Sequence, residues 1–515
     1  MTPPKIRFDR GVLRVDDVVR LAERRAVPEL EAGAEFTAYI SRGAEFLDKL
    51  LVEDGVVYGV TTGYGDSCTV AVPGPLVPEL PRQLYTFHGV GMGALLGHAE
   101  TRAVLAVRLA TLCKGHSGVG YTLLRQLEQF LARDLLPAIP EEGSVGASGD
   151  LTPLSYVAAA LCGEREVLTA SGVEPTAAAL AREGLSPIGL RPKEALAIMN
   201  GTAVMTALAC LAYSRAEYLS RLCARVSAMA VEAMAGNTHH YDERLFAVKP
   251  HPGQQRTAER IRVDLGDATP ASRNDDRLQD RYSLRCSPHV IGVLEDALPF
   301  LHDLIERELN SATDNPIIDG ERGRVLHGGH FYGGHIAFAM DALKQLVANL
   351  ADLLDRQVAQ LLDTKFNHGL PANLSGASAP RASINHGLKA LGISTSAWAA
   401  EALKLTMPAS VFSRSTESHN QDKVSMGTIA ARDCLRVLTL TEQVAAAALL
   451  ATAQGMELRV RQSGKPASAA LSAMLAQVRE DTAFLEEDRR LDGELHALCA
   501  RIRSRAYALY SAERP

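Results

Sequence analysis

The sequence predicts a mainly α-helical protein, and the clearest sign is the spacing of its apolar residues. Within residues 343–362, apolar side chains recur every three or four positions, which is typical of a long buried helix. Residues 203–235 and 429–458 show similar spacing, whereas the alternating runs typical of strands are few. We therefore expect long helices to dominate the second half of the chain.

The first two hundred residues differ in composition from the rest. They are richer in glycine and proline and contain shorter helical patterns. Loops of this kind often present catalytic groups on a rigid scaffold. We predict an N-terminal domain over residues 1–200 and a long-helix domain over residues 201–515.

The bulk composition excludes several functional classes. Of 515 residues, 47% are hydrophobic and 22% charged, an ordinary globular balance. A net charge of −6 provides no basic stripe for nucleic acid, and no apolar run is long enough for a membrane span. The eight cysteines are scattered without a Cys-x-x-Cys pair, and the histidines lack metal-ligand spacing. We expect a cytoplasmic protein with no metal site and no nucleic-acid or membrane partner.

The tripeptide Ala147-Ser148-Gly149 is the most informative motif of the chain. Glycine lets its amide nitrogen approach the Ala147 carbonyl closely, so that the backbone could cyclise. Loss of the Ser148 hydroxyl as water would then leave a 4-methylidene-imidazol-5-one (MIO), an electrophile that ordinary side chains do not provide. Taken alone, the tripeptide would be interpreted as a turn. However, glycines recur every three residues at positions 143, 146 and 149, and an apolar helical run follows them. This context favours the chemical interpretation.

Two further motifs contain groups suited to proton transfer and carboxylate binding. Residues 58–65 form a glycine-dense stretch that begins with Tyr58, and residues 279–288 contain Tyr282 and Arg285. The planar guanidinium of arginine matches a carboxylate. In the alternative interpretation, Tyr58 is a packing residue and Arg285 a structural ion-pair residue.

Together these segments resemble the aromatic amino acid ammonia-lyases, the family of histidine, phenylalanine and tyrosine ammonia-lyases and related aminomutases. The resemblance implies that Ala147-Ser148-Gly149 forms the MIO autocatalytically, with no external cofactor. It also implies an elongated bundle of long, near-parallel helices, an N-terminal domain carrying the MIO loop, and a homotetramer. Each active site would then draw on three subunits, and we expect Tyr58 to come from a different chain than the MIO it serves.

The resemblance assigns a role to each motif in the elimination of ammonia. Tyr58 would be the base for the β-proton or its partner, which requires a pKa below the ordinary value of about 10. Tyr282 would assist proton transfer beside the MIO, and Gln279 would hydrogen-bond nearby. Arg285 would bind the substrate carboxylate.

Two asparagines and a phenylalanine complete the implied site. Asn200 matches the family residue that contacts the MIO, and Asn315 matches the residue that assists Arg285. Phe331 follows His330, which replaces the asparagine of a Gly-Gly-Asn-Phe motif. His289 also departs from the family pattern, in which glutamine is usual.

The side chain of the substrate is expected to face Phe87-His88, with Glu417 and Gln421 across the pocket. Phenylalanine enzymes of the family usually carry Phe-Leu at the first pair, tyrosine enzymes His-Leu and histidine enzymes Ser-His. Gln421 stands where histidine enzymes have glutamate, and a neutral amide cannot form an ion pair with imidazolium. His88 can hydrogen-bond a ring hydroxyl and so disfavour a ring without one.

The sequence therefore predicts an MIO-dependent carbon–nitrogen lyase that converts an aromatic L-amino acid to a trans-cinnamate-type acid. Tyrosine or a catechol analogue is favoured over phenylalanine. A tyrosine 2,3-aminomutase at the same site and a histidine ammonia-lyase are the alternatives. A helical scaffold with a vestigial loop is disfavoured, because Tyr58, Ser148, Tyr282 and Arg285 occur together.

Overall fold

The computed structural model describes residues 3–53, 55–266 and 277–510, and helices dominate them. These described residues are 59% helical, which confirms the predicted fold class. In chain order the α-helices are α1 Val15–Ala22, α2 Ala34–Val52, α3 Leu80–Phe87, α4 His98–Leu112, α5 Tyr121–Ala132, α6 Leu151–Leu161, α7 Thr176–Arg182, α8 Glu194–Met199, α9 Ala203–Ala233, α10 Glu243–Ala247, α11 Pro252–Asp264, α12 Tyr282–Arg285, α13 Ser287–Leu309, α14 Gly334–Leu362, α15 Lys389–Lys404, α16 Gly427–Ser463, α17 Ala469–Arg479 and α18 Asp492–Arg503.

The strands are short and form two-stranded sheets. They are β1 Lys5–Phe8, β2 Val27–Leu30, β3 Met92–Leu95, β4 Pro140–Glu142, β5 Glu166–Thr169, β6 Gly172–Pro175, β7 Ile317–Asp319 and β8 Arg324–Leu326. Strands β1 and β2 pair in parallel, with Lys5 opposite Val27, and the other three pairs are antiparallel. In the β3–β4 pair, Met92 lies opposite Glu142, which ties the segment after α3 to the residues just before Gly143.

The long helices lie where the apolar spacing predicts them. Helix α9 covers the predicted range 203–235 except its last two residues, α14 extends the range 343–362 towards the N-terminus, and α16 contains the range 429–458. By length and composition α16 could span a membrane. However, 78% of its most apolar window is buried in the structure, as expected for a core helix.

The chain forms two compact units, each built from three separate segments. Unit 1 contains residues Met1–Ser214, His302–Asp341 and Pro408–Arg432, and unit 2 contains Arg215–Leu301, Ala342–Met407 and Asp433–Pro515. The sequence predicts a single boundary after residue 200, whereas two later segments return to unit 1. No local pattern of composition marks these returns.

Unit 1 is organised around α4, which is buried from Thr101 to Leu112. It packs against α1 and α5, while α3, α6 and α8 pack against one another. The ends of these last three helices adjoin sequence motifs: α3 ends at Phe87, α6 follows Asp150, and α8 ends before Asn200. Their packing therefore brings the motif residues of unit 1 together.

Unit 2 has its own core and its own ion pairs, one of them buried at both partners. Helix α11 packs against α10 and α17. Arg215 Nε donates to Glu442 Oε1 at 2.8 Å, and Arg225 Nε donates to Asp264 Oδ2 at 2.7 Å. Such paired charges are satisfied within the unit.

Candidate active site

The Ala147-Ser148-Gly149 segment is held by backbone contacts with residue 201. The Gly201 amide donates to the Ser148 carbonyl at 2.9 Å, and the Asp150 amide donates to the Gly201 carbonyl at 2.8 Å. Gly149 has φ +81°, and a Cβ there would collide with the Gly201 backbone. Ser148 is left-handed at φ 47°, a conformation that costs a non-glycine residue energy. Packing therefore imposes an unusual backbone at the tripeptide.

Asp150 anchors this segment through a fully buried carboxylate. Its Oδ2 accepts from the amides of Val204 and Met205 at 2.9 and 3.0 Å, and Oδ1 accepts from the hydroxyl of Thr428. Asp150 stands at the N-cap position of α6, yet its side chain caps the start of α9 instead. Burial raises the pKa of Asp150 to about 6, while the hydrogen bonds from Thr428, Met205 and Val204 lower it.

A cavity of about 360 Å³ opens in front of the tripeptide, within unit 1. Its lining combines the lid stretch, the end of α3, the tripeptide segment and the turn around residue 417. The residues are Tyr58, Tyr64, Gly65, Leu84, Phe87, His88, Gly143, Ser144, Val145, Ala147, Ser148, Leu151, Thr152, Leu196, Thr416, Glu417 and Gln421. The structure thus brings together six predicted site residues from distant parts of the sequence, in addition to Ser148.

His88 is held in a defined orientation at the end of α3. Its Nδ1 lies 3.0 Å from the Leu84 carbonyl oxygen. A carbonyl only accepts, so Nδ1 carries the proton and Nε2 of the neutral ring is an acceptor. Burial lowers the pKa of His88, which favours this neutral form. The Phe87 ring lies beside it, with ring centroids 4.2 Å apart.

Gln421 faces the cavity with its amide orientation fixed by Thr416. The Thr416 hydroxyl donates to Gln421 Oε1 at 2.8 Å, which leaves the amide NH₂ as a donor. Glu417 begins three consecutive left-handed residues, with φ of 53°, 52° and 68°. Its carboxylate accepts from the Asp66 amide at 2.8 Å and thereby holds the stretch that carries Tyr58.

Tyr58 lines the same cavity as Ala147 and Ser148 in a single chain. The expectation that it comes from a different chain is therefore wrong. Its hydroxyl oxygen accepts from the Gly65 amide at 2.7 Å. Burial raises the pKa of Tyr58, the Gly65 amide lowers it, and Glu417 raises it. The surrounding residues of unit 1 thus do not provide the lowered pKa that the sequence interpretation required.

Asn200, Asn315 and Phe331 line an adjoining cavity that shares Tyr58, Ala147 and Ser148 with the first. Asn200 Nδ2 donates to the Asn315 carbonyl at 2.7 Å, and its Oδ1 is buried without a hydrogen-bond partner. Asn315 Oδ1 accepts from the Gly328 amide at 2.8 Å. The two asparagines are therefore neighbours, as the motifs imply.

A buried ion pair supports this second cavity and was not anticipated from the sequence. Lys193 Nζ lies 2.7 Å from Asp314 Oδ2, and both side chains are almost fully buried. Asp314 Oδ1 also accepts from Asn200 Nδ2 at 3.3 Å. Arg108, fully buried, donates to the Asn200 carbonyl at 3.1 Å. In the sequence, only the apolar residues next to these charged side chains could have indicated that they are buried.

Gln279, Tyr282 and Arg285 belong to unit 2. Tyr282 is 72% exposed, and Gln279 is exposed as well. Arg285 Nε donates to the Asp280 carbonyl at 2.9 Å, and its Cζ lies 4.7 Å from the centroid of the Tyr282 ring. Since Asn315 lies in unit 1, its pairing with Arg285 stays a prediction.

The two atypical histidines differ in their surroundings. His289, in unit 2, has a buried Nδ1 without a hydrogen-bond partner, and burial lowers its pKa. His330 is exposed in unit 1. Across residues 3–53, 55–266 and 277–510, no three His, Cys, Asp or Glu side chains are grouped so as to hold a metal ion.

Comparisons with known proteins identify the family to which the chain belongs. The family profile described as aromatic amino acid lyase matches residues 13–480. A histidine ammonia-lyase of Gloeobacter violaceus is 38% identical over 94% of this chain and 92% of its own length. The crystal structure of tyrosine aminomutase from Streptomyces globisporus has a TM-score of 0.90 at 34% identity, covering 98% of this chain and 97% of that one. Pantoea agglomerans phenylalanine aminomutase has a TM-score of 0.89 at 27% identity, covering 97% and 99%.

Asp150→Ala tests the anchor of the tripeptide segment. It leaves the buried amides of Val204 and Met205 without an acceptor, so we expect a loss of at least about 2 kcal/mol in the free energy of unfolding. The measurement is the denaturant midpoint. Asp16→Ala, which removes an exposed acid paired with Arg20, should cost less than about 1 kcal/mol. Equal midpoints for the two variants would contradict the anchoring role.

Proposed function

We propose that this chain, which belongs to the aromatic amino acid lyase family and is a carbon–nitrogen lyase, eliminates ammonia from tyrosine or a catechol analogue. One observation carries this choice of substrate: the cavity wall offers an acceptor at His88 and a donor at Gln421. A phenol hydroxyl donates and accepts through one oxygen, so it can satisfy both groups. The ring of phenylalanine would leave both unpaired.

The residues at 147–149 fit the MIO that the family resemblance implies. Gly149 lacks the Cβ that would collide with Gly201, and Ser148 already has a left-handed backbone. When formed, the MIO would supply an electrophilic methylidene carbon for the amine of the substrate. Ala147 and Ser148 line the cavity, so the group would be accessible there.

The other residues of unit 1 would bind and orient the substrate. Tyr58 is proposed to act as the base for the β-proton or as its partner, and the hydrogen bond from the Gly65 amide partly offsets the rise in its pKa that burial causes. Glu417 is the carboxylate in the lining of the first cavity, so it can attract the ammonium group of the substrate. Asn200 would contact the MIO, and Phe331 would pack beside it.

In unit 2, Arg285 is proposed to bind the substrate carboxylate, assisted by Asn315. Its Nε is occupied by the Asp280 carbonyl, and its two terminal nitrogens can form the fork that a carboxylate accepts. Tyr282 would assist proton transfer, and Gln279 would hydrogen-bond nearby.

Two other outcomes fit the same site. A neutral imidazole also has one donor and one acceptor, and the curated relatives at 38% identity are histidine ammonia-lyases. A tyrosine 2,3-aminomutase would re-add ammonia to the β-carbon, and a neighbour of that kind is 34% identical. Product analysis with tyrosine, phenylalanine, histidine and β-tyrosine separates the three activities.

We also propose a homotetramer. In its support, large apolar side chains are exposed in both units, among them Met92 at 73% and Leu278 at 81%. Exposed apolar surface of this kind is often covered in a protein interface. Because Tyr58 and Ser148 share one cavity, the residues contributed by neighbouring subunits would include Tyr282 and Arg285.

The MIO is tested by the intact mass of the purified protein. We expect a mass two water molecules below that of the sequence, since cyclisation and loss of the Ser148 hydroxyl each release one. Ser148→Ala should show no such deficit and should lose activity by orders of magnitude. Ser171→Ala, at an exposed turn, should keep both the deficit and the activity. An active parent protein of unmodified mass would exclude the MIO.

His88→Leu tests recognition of the ring. The substitution removes the acceptor, so kcat/KM for tyrosine should fall about tenfold or more relative to phenylalanine. The measurement is kcat/KM for tyrosine, phenylalanine and histidine in both proteins. Urocanate as the main product of the parent, or an unchanged ranking in His88→Leu, would contradict the proposed substrate.

Co-expression of inactive variants tests the shared site. Ser148→Ala and Arg285→Ala should partly restore activity in mixed tetramers, because their defects lie in residues proposed to come from different chains. Ser148→Ala with Tyr58→Phe should not, since both residues line the cavity of one chain. Recovery in the second pair alone, or an active monomer in light scattering, would rule out this arrangement.

A further inference from the structure

Arg165 connects α6 to β5 and places its guanidinium behind the residues that select the substrate. Its backbone is left-handed at φ 59°, and its carbonyl accepts from the amide and hydroxyl of Thr176, both at 2.9 Å. Its Nη1 donates to Ser155 Oγ at 3.0 Å, and its Nη2 donates to the Tyr85 carbonyl. The guanidinium carbon lies 4.2 Å from the centroid of the Tyr156 ring.

These contacts reach both sides of Phe87-His88. Tyr85 lies before the pair in the sequence, and Gly89 lies directly after it. Gly89 is so close to the guanidinium that a Cβ at this position would lie 2.5 Å from Arg165 Nη2. The hydroxyl of Ser155 accepts a hydrogen bond from Arg165 Nη1, and its Oγ lies 3.2 Å from the His88 carbonyl oxygen. One side chain therefore fastens residues 85–89 to α6, the helix that begins directly after Asp150.

We infer that Arg165 is a positioning residue for substrate selection: it fixes residues 85–89 so that His88 offers Nε2 to the ring hydroxyl of the substrate. Arg165 is absent from the lining of the cavity and acts through His88. The inference rests on the proposed use of tyrosine.

The groups around His88 shift its pKa in both directions. Burial lowers its pKa most, the hydrogen bond with the Leu84 carbonyl raises it, Arg165 lowers it, and Glu417 raises it. Tyr58 and Tyr64 line the same cavity, and burial raises the pKa of both, so they stay neutral near pH 7. Loss of the arginine charge therefore raises the pKa of His88 and narrows the pH range in which Nε2 accepts.

Arg165→Met removes the charge and the two donors but keeps a long side chain. At neutral pH we expect the ratio of kcat/KM for tyrosine to that for phenylalanine to fall about fivefold to tenfold. The acid midpoint of the tyrosine profile should move to higher pH, while that of the phenylalanine profile stays. Arg165→Lys keeps the charge, so the acid midpoint of its tyrosine profile should stay at the parental pH. Its ratio of kcat/KM for tyrosine to that for phenylalanine should fall by less than in Arg165→Met.

Two controls separate positioning from a general structural role. Arg82→Met removes an exposed arginine of α3 that pairs with Glu164, and it should leave the ratio unchanged. In a His88→Leu background, Arg165→Met should not change the ratio further. The inference would be overturned if Arg165→Met lowered kcat/KM equally for tyrosine and phenylalanine, or if it changed the ratio further in the His88→Leu background.

The test also distinguishes this inference from the proposed function. If the parent enzyme prefers histidine, the proposed substrate and the inference both fail. If tyrosine is preferred and His88→Leu changes the ranking but Arg165→Met does not, only the inference fails. Should Arg165→Met not fold, the decision passes to Arg165→Lys, and a parental ratio in that variant overturns the inference.

Discussion

A buried carboxylate is stable only if donors replace the water it has lost, and Asp150 obtains its donors from two other segments. The amides of Val204 and Met205 lie at the start of α9, where free N–H groups favour an anion. The Thr428 hydroxyl comes from the third segment of unit 1. Because Asp150 directly follows the tripeptide, these hydrogen bonds fix the position of the tripeptide as well.

The site is shaped by backbone conformation as much as by side chains. Ser148 and the residues from Glu417 to His419 are left-handed, and Gly201 has φ +146° where a side chain would collide with Thr313. Such conformations persist only where the surrounding structure compensates for their cost. Here the compensation comes from the hydrogen bonds of Gly201 and from the contact of Glu417 with Asp66. The strained residues and the hydrogen bonds that stabilise them therefore lie in the same part of unit 1.

The sequence predicts the parts of this protein that have a local signature. Apolar spacing locates α9, α14 and α16, and the motifs identify Tyr58, Ser148, Phe87 and Gln421, which the structure brings to one cavity. The environment of Tyr58 was less predictable, since its pKa depends on burial and on Glu417, more than three hundred residues away.

Long-range partners are what the sequence does not reveal. Asp150 has the expected position of a cap for α6, but its partner Thr428 lies 278 positions away. Arg165 and the Lys193–Asp314 pair belong to no motif, because contacts across 80 or 121 positions leave no periodic pattern. The same reason explains why the two returning segments of unit 1 could not be foreseen.

The scattered origin of the cavity wall also sets an order of events during translation. Ala147-Ser148-Gly149 leaves the ribosome early, Gly201 follows, and Met426, whose amide binds the Val145 carbonyl, comes much later. Until residue 426 of 515 has been added, the tripeptide lacks one of its supports. The cyclisation proposed for this tripeptide would therefore have its complete set of backbone contacts only after residue 426 has been synthesised.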